Sequence, residues 1–433
     1  MRKHRTDLLP AAAFLAPNLI GFLAFVGFPL IFSISMAFTN WDLSLHNRYR
    51  NEPIGWIWLR NFQDLLSHPD FWKYFGNTLF FMMAIPIGIA GSLFLAVLLS
   101  RPLRSRSPSA RWVLAVGSLA SFAAIGLFLM AGGYGAAAFV FCMLAGGVLA
   151  LGFTTGAVVY RTLFYLPAFT SGVAVYLLWK QMYNPIRGPI NIALQPVLDV
   201  LTAWVRGTPS WFWQGTGYAL WAVAVLGVLW LGLKVLRAWA GRDFGIGTGL
   251  MSLIAVVAGG LVLYGLGWVA VHLPEMVASK EGLVAPKWLS DVAWAKPAIM
   301  IMGLWMGIGG GNMLLYIAGI SNIPQELYEA ADIDGAGRWQ RFWHVTWPQL
   351  APTTFFIVVM SVIGGLQGGF EQARTMTQGG PYGATTTLSY FVYTEGFETG
   401  RLGYASAVAW AMFVMIFVLT VLNYRFGNKY VND

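Results

Sequence analysis

About ten stretches of roughly 20 largely apolar residues run through the chain, at 11–38, 74–100, 112–132, 136–159, 163–179, 218–236, 246–271, 297–320, 350–370 and 402–424. Stretches of this length end up either in hydrocarbon or in the core of a protein with enough polar residues to make a surface. Only 10% of the 433 residues are charged and 57% are hydrophobic, whereas an average soluble chain carries about 25% charged residues. Lipid is therefore the solvent for most of this chain. A soluble enzyme, a disordered tail and a secreted disulfide scaffold are excluded. Backbone groups in hydrocarbon must pair within their own segment, so the spans are helical. The short alternating segments of a β-barrel do not occur. The expected fold class is an all-α integral membrane protein, a polytopic helix bundle.

Charge sets the orientation. The net charge of +9 is carried between the spans rather than along one face, the pattern of membrane loops and not of a nucleic-acid partner. Arg2, Lys3, Arg5, Arg101, Arg104, Arg106, Arg111, Arg161, Lys234, Arg237, Arg242, Arg338, Arg341, Arg425 and Lys429 fall in one set of loops and make up more than half of the 27 basic residues. Positive residues favour the cytoplasm, so both termini are expected inside. Arg2-Lys3-His4-Arg5 resembles the start of a signal peptide, but the run behind it is too long and lacks a small-residue cleavage site. An uncleaved first helix is expected. Trp41, Trp56, Trp58, Trp72, Trp211, Trp213, Trp288 and Trp294 lie in or beside the outer loops as an aromatic belt; Trp339, Trp343 and Trp347 break the pattern on the inner side.

Catalytic chemistry finds little to work with. None of the 18 acidic residues falls inside an expected span, and proton-driven carriers need intramembrane carboxylates or histidines as relays. His4, His46, His68, His272 and His344 show no paired ligand spacing, and Cys142, the single cysteine, lies in an apolar run. No metal site or cofactor is expected in this chain. Nor does Gly-Lys-Ser or Gly-Lys-Thr occur anywhere, so no P-loop cradles a nucleotide.

One inner loop is long enough to fold, between the eighth and ninth spans. Pro324 suits the first turn of a helix and Glu326 complements the positive end of its dipole. Leu327, Ala330 and Ala331 share a face at i, i+3, i+4 spacing. Gly335 and Gly337 permit a sharp bend, after which Trp339, Phe342, Trp343 and Thr346 form a second amphipathic face and Pro348 marks entry into the next span. The reading is a helix–turn–helix against the inner membrane surface. It carries four carboxylates, Glu326, Glu329, Asp332 and Asp334, on a side where basic residues prevail. A plain interfacial connector and a docking surface for a basic cytoplasmic partner both fit these residues.

Glu329-Ala330-Ala331, three residues, Gly335, nine residues, then Val345-Thr346-Trp347-Pro348 resembles the EAA loop of ABC-importer permeases, with Val345 where the family has Ile and Trp347 where it has Leu. The flanking text is similar to the sugar-type branch of the maltose and glycerol-phosphate importers. Phe28-Pro29, Ala37-Phe38-Thr39-Asn40-Trp41, Leu59-Arg60-Asn61-Phe62, Asn77-Thr78-Leu79, Arg161 to Pro167, Asn184-Pro185, Gly379-Gly380-Pro381 and Leu402 to Ala407 carry this likeness. It fails at about 105–160 and 215–275, each holding two apolar spans with a short connection. The resemblance implies a type I importer core of six helices plus two inserted transmembrane hairpins. The segments are 1–104 (two core helices), 105–160 (hairpin), 161–214 (third core helix and outer loop), 215–275 (hairpin) and 276–433 (three core helices with the loop at 321–348). The hairpins could be extra lipid-facing helices or contacts with a partner permease or a lipid.

The resemblance further implies one half of a two-permease pore in a bacterial inner membrane, served by two cytoplasmic ATPase subunits that hold ATP and Mg, and by an external solute-binding protein. Glu326, Glu329, Ala330, Ala331, Asp332, Asp334, Gly335 and Pro348 form the coupling loop, with Glu329 meeting a basic residue of the ATPase. The solute path of such permeases runs between core helices. Here polar residues in or beside the later spans are the candidates: Asn312, Tyr316, Ser361, Gln367 and Glu371. Hydrogen-bonding side chains beside aromatic faces suit a sugar; helix–helix hydrogen bonding accounts for the same residues equally. Gly303, Gly307 and Gly311 recur every four residues, as in a close-packing stripe. A secondary carrier acting alone would show inverted repeats, and a membrane-embedded enzyme would need polar groups within the spans. Neither pattern is seen.

Overall fold

The computed structural model describes residues 8–50, 52–100, 108–130, 135–155, 157–170, 172–240, 246–278 and 282–427. Eight of the orienting basic residues (Arg2, Lys3, Arg5, Arg101, Arg104, Arg106, Arg242 and Lys429) and His4 lie outside them. Helices dominate, and the described residues hold one isolated β-bridge, Thr39 to Trp56, and no strand. The chain divides into two compact units, one of Met1–Gln181 with Trp288–Asp433 and one of Met182–Lys287.

In the first unit, Leu8–Phe22, a π-turn at Leu23–Gly27 and Phe28–Ala37 make one continuous rod, because the junction residues keep helical backbone angles. The rod is apolar on all sides and exposed over its first half, with Phe14 86% and Phe25 83% exposed. That is the signature of a lipid-facing helix. Its second half packs on the last helix, Leu402–Gly427, where the Trp410 indole donates to Ser33 Oγ at 2.9 Å. Buried Asn61 ties down the first connection, its amide donating to the Ala37 and Thr39 carbonyls at 2.9 Å each.

The span expected at 297–320 is two helices, Val292–Gly307 and Gly310–Ser321, broken at Ile308 and Gly309. Gly309 sits at φ +102°, a conformation closed to other residues. Ser92, on the helix Ala84–Ser100, satisfies the opened backbone: its hydroxyl donates to the Gly307 carbonyl at 3.0 Å and accepts from the Gly309 amide at 3.2 Å. Broken helices are tolerated in membranes where a neighbour pairs the freed groups. The core of the unit closes around this point, from Leu95, Ala96 and Leu99 to Met313, Tyr316, Leu350 and Ile357. Arg161 is not a free loop charge. Its Nε donates to the Leu99 carbonyl at 3.1 Å, placing the guanidinium at the negative end of the Ala84–Ser100 helix.

The span expected at 163–179 is likewise broken, into Ala157–Phe169 and Val173–Met182, with Gly172 at φ +68°. Pro108–Leu129 and Gly135–Thr155 pack against each other along their length. On the helix Pro69–Met82, Asn77 is 1% exposed and donates to the Gly383 and Thr386 carbonyls at 2.9 Å each. Asn77→Ala strands both acceptors, and we expect it to lower stability by about 1–3 kcal/mol, read by thermal unfolding of the detergent-solubilised protein.

In the second unit, Ser210–Ala240 and Ile246–Val277 pair as long helices. The helix Pro189–Gly207 lies across one end of the pair, where Val205, Trp213, Leu273 and Val277 make a small core. The unit starts at Met182, well ahead of residue 215, because that crossing helix is bonded to the returning segment after Val277.

Among the described residues five helices are long and apolar enough to cross a membrane, six if the bent pair Arg338–Gln349 and Ala351–Gln367 counts as one. Shorter apolar segments are found at Arg111–Leu127, Cys142–Phe153 and Val262–Val277. The bundle is polytopic and helical as expected.

Candidate coupling loop and solute cavity

The loop after Ser321 folds as a helix–turn–helix. Pro324 is the N-cap rather than a first-turn residue of the helix Gln325–Ile333, and Glu326 occupies the first turn. The helix ends in a tight turn: the Gly335 amide bonds to the Asp332 carbonyl at 3.1 Å and the Ala336 amide to the Ala331 carbonyl at 2.9 Å. Gly335 supplies the required left-handed backbone at φ +71°. The chain then turns back through Arg338–Arg341 and a π-turn at Phe342–Thr346. Two contacts clamp the two halves: the Arg341–Asp332 ion pair, and the Tyr328 hydroxyl with Thr346 Oγ1 at 3.0 Å.

This clamp redistributes the expected faces. Glu326, Glu329, Ala330 and Ile333 form the outward stripe, at i, i+3, i+4, i+7 spacing, and Ile333 is 87% exposed. Asp332 is turned toward Arg341, and exposed Glu326, Glu329 and Asp334 have no ion pair among the described residues. Thr346 does not share a face with Trp339 and Trp343. The π-turn rotates it inward to Tyr328, leaving Trp339, Trp343 and Trp347 as an exposed aromatic ridge. Pro348 and buried Leu350 lie at a 64° bend into the span Ala351–Gln367. Leu350 packs with Met313 and Tyr316, so displacement of the loop bears directly on the helix Gly310–Ser321.

That helix carries Asn312 into a cavity of about 300 Å³, whose lining includes Ser361, Gln372, Gly303 and Gly307. The structure thus brings Asn312 and Ser361 together. Tyr316 is elsewhere: fully buried, its hydroxyl donates to Thr354 Oγ1 at 3.3 Å across a helix–helix contact. Gln367 and Glu371 are exposed beyond the lining, and a Cβ at Gly172 would lie 3.4 Å from Glu371 Oε2. The glycines do not form the expected packing stripe. A Cβ at Gly303, Gly307 or Gly311 would meet nothing within 4 Å, and the helix breaks before Gly311. Here glycine leaves space rather than closing it.

Sequence reasoning missed an aromatic ladder beside this cavity. Tyr390 and Tyr393 stack at 6.3 Å and 13°, Tyr393 and Phe397 at 5.5 Å and 28°, and Phe370 leans on Tyr393 at 5.0 Å. Arg374 lies 4.4 Å over the Tyr393 ring. Burial, then the Glu398 carboxylate, pushes the Tyr390 phenol up against the opposing pull of Arg374, so it stays neutral. Exposure rises along the ladder from Tyr390 at 6% to Phe397 at 75%. Phe370 follows directly on Gly368 and Gly369, which line the cavity. The signal was present in sequence, as aromatics at 390, 393 and 397 with helical spacing.

Residues 49–431 match the family described as "Binding-protein-dependent transport system inner membrane component". The chain is 24% identical over 437 residues to the probable ABC transporter permease protein YesP of Bacillus subtilis (strain 168), covering all of this chain and 94% of that protein. The sn-glycerol-3-phosphate transport system permease protein UgpA of Agrobacterium fabrum is 33% identical over 209 residues, 47% of this chain and 71% of that protein. A chain of a bacterial alginate ABC transporter, crystallised with an alginate pentasaccharide-bound periplasmic protein, shares the fold at a TM-score of 0.56 and 18% identity, covering 99% and 97% of the two chains. Apolar helices in series, a folded loop bearing the Glu-Ala-Ala signature and a match across most of the chain lead to one conclusion: this multi-pass membrane protein belongs to the family of binding-protein-dependent transport system inner membrane components, the permease subunits of ABC importers.

Proposed function

We propose that the chain carries a sugar or sugar-like solute and is driven by separate ATPase subunits through the loop at 321–348. The observation that carries this reading is mechanical. The clamped helix pair is joined at a 64° bend to a span, and its bend residue Leu350 packs on the helix that bears Asn312. Glu326, Glu329 and Asp334, with Ala330 and exposed Ile333, form the face offered to a basic groove of the ATPase; Ala331, Asp332, Gly335 and Pro348 hold its shape. Closure of the ATPase dimer on ATP and Mg then pushes the loop, and the core helices rock between openings. This chain holds no nucleotide and no cofactor of its own.

The solute passes the aromatic ladder and reaches the cavity at Asn312 and Ser361. Aromatic faces beside amide and hydroxyl groups suit a sugar's alternating C–H and O–H surfaces. The relatives' names include glycerol phosphate and alginate. Exposed Gln367 and Glu371 flank the path beyond the lining, while Tyr316 serves the helix–helix contact with Thr354. A second permease completes the pore, an external binding protein delivers the solute, both termini are cytoplasmic, and segments 105–160 and 215–275 are insertions on the six-helix core.

Co-purification with an ATPase, followed by reconstitution, tests the coupling. ATP hydrolysis should rise several-fold with solute-loaded binding protein. Solute movement by this chain alone in liposomes, without nucleotide, overturns it. Phe397→Ala with Tyr393→Ala removes two stacking faces worth about 0.5–1.5 kcal/mol each. Its half-saturating solute concentration should rise about ten-fold with basal hydrolysis unchanged; an unchanged value removes the ladder from the path.

A further inference from the structure

The helix Pro189–Gly207 of the second unit bonds a polar stripe to its own unit, buries Val205, and leaves a broad apolar arc exposed. Asn191, Gln195, Asp199, Thr202 and Arg206 fall on one stripe at helical spacing. All five are engaged within the unit. Asn191 Nδ2 donates to the Pro185 and Pro286 carbonyls at 3.2 Å each. Gln195 donates to the Leu283 carbonyl at 3.1 Å and accepts from the Ala285 amide at 3.0 Å, holding the returning segment as a neighbouring strand would. Its Nε2 also donates to Asp199 Oδ1 at 2.9 Å. Thr202 Oγ1 accepts from the Leu283 amide at 3.1 Å, and the Arg206 guanidinium donates to the Val277 carbonyl at 3.3 Å.

The opposite side, an arc of roughly 160° at 100° per residue, carries no charge. It presents Ile192, Val197 at 62%, Val200 at 72% and Trp204 at 55% exposure. A helix face open to water is normally polar. Water does not suit this face.

We propose that this face lies in lipid: Pro189–Gly207 rests flat in the interfacial layer of the bilayer, at the end of its own two spans where Trp213 and Leu273 lie. Continuity picks lipid over a protein partner. Trp204 meets Trp213 edge-on at 4.9 Å, and Trp211, 70% exposed, opens the span Ser210–Arg237. The arc is therefore the uninterrupted extension of a surface that hydrocarbon already covers. Tryptophans at its edge, with Asp199 and Arg206 beside them, match the headgroup level. The 19-residue helix is about 28 Å long at 1.5 Å per residue, yet it does not span, because its stripe bonds along its length to one returning segment. Its task is to hold the paired helices at a set depth.

Spin labels on Val200→Cys and Asp199→Cys, each in a Cys142→Ser background, test this in the complete transporter in phosphatidylglycerol/phosphatidylethanolamine nanodiscs. The label at 200 should collide with oxygen and be shielded from a nickel chelate, giving a collision ratio about fivefold or more above that at 199. Equal chelate access at both positions overturns the proposal in favour of water. Shielding of position 200 from both reagents overturns it in favour of a second permease or the binding protein. The readout needs no transport, so it is independent of the solute and of the coupling mechanism.

Discussion

Gly335→Trp is expected to reach the membrane at wild-type level and to show no solute-stimulated ATP hydrolysis. Gly335 has φ +71°, and a Cβ there would meet nothing within 4 Å. Tryptophan therefore causes no clash inside the chain. It does two other things: it holds a bulky residue in a left-handed conformation at a cost of about 1–3 kcal/mol, and it projects from the turn beside the outward stripe of Glu326, Glu329, Ala330 and Ile333. Relief of the strain would open the Ala336–Ala331 bond and the Arg341–Asp332 clamp that keep the two helices together. Gly335→Asn separates the two effects, since asparagine visits the left-handed region at little cost. It should retain most of the stimulation. Reconstituted proteoliposomes with co-purified ATPase give the comparison, and unaltered stimulation in the tryptophan variant would remove the loop from the coupling path.

Gly303→Leu should stop transport without weakening the fold. Its side chain would enter the 300 Å³ cavity shared by Asn312 and Ser361, where no atom lies within 4 Å of the added Cβ. Glycine is a poorer helix former than alanine by about 0.8–1 kcal/mol and leucine ranks just below alanine, so thermal stability should hold or rise. Flux should fall more than tenfold. Gly91→Leu is the contrasting case. A Cβ at Gly91 would lie 2.9 Å from Ile308 Cγ1 and 3.1 Å from its Cγ2, at the break between the two helices. Crowding of this kind costs about 1–3 kcal/mol, so this variant should lose stability and flux together. A fully active Gly303→Leu protein would mean that solute does not pass the cavity.

Legibility follows the range of the physics. Local features could be read from the chain: apolar length for the first and last spans, Pro324 and Glu326 at a helix start, Gly335 at its end. The face of the loop that points outward could not. Asp332 is turned in by Arg341, nine residues on, and Thr346 by Tyr328 across the turn. Among the candidate path residues, Asn312 and Tyr316 are four apart on one helix, yet one lines a cavity and the other is buried against Thr354. Their environments are set by which helix lies opposite, and residue type carries no record of that.

The sequence by itself determined that this chain lives in lipid, that it is helical, and that one folded loop carries the Glu-Ala-Ala signature, because each depends on composition or on spacing within a few turns. Only the tertiary structure decided where helices break and which faces remain open. Ser92 pairs the backbone freed at Gly307 and Gly309 from more than two hundred residues away. The backbone of 283–286 bonds Asn191, Gln195 and Thr202 of Pro189–Gly207, and the helix is left with an apolar arc uncovered. Both rest on the same requirement: a backbone group taken from water must find a partner, and in these places the partner is remote in sequence.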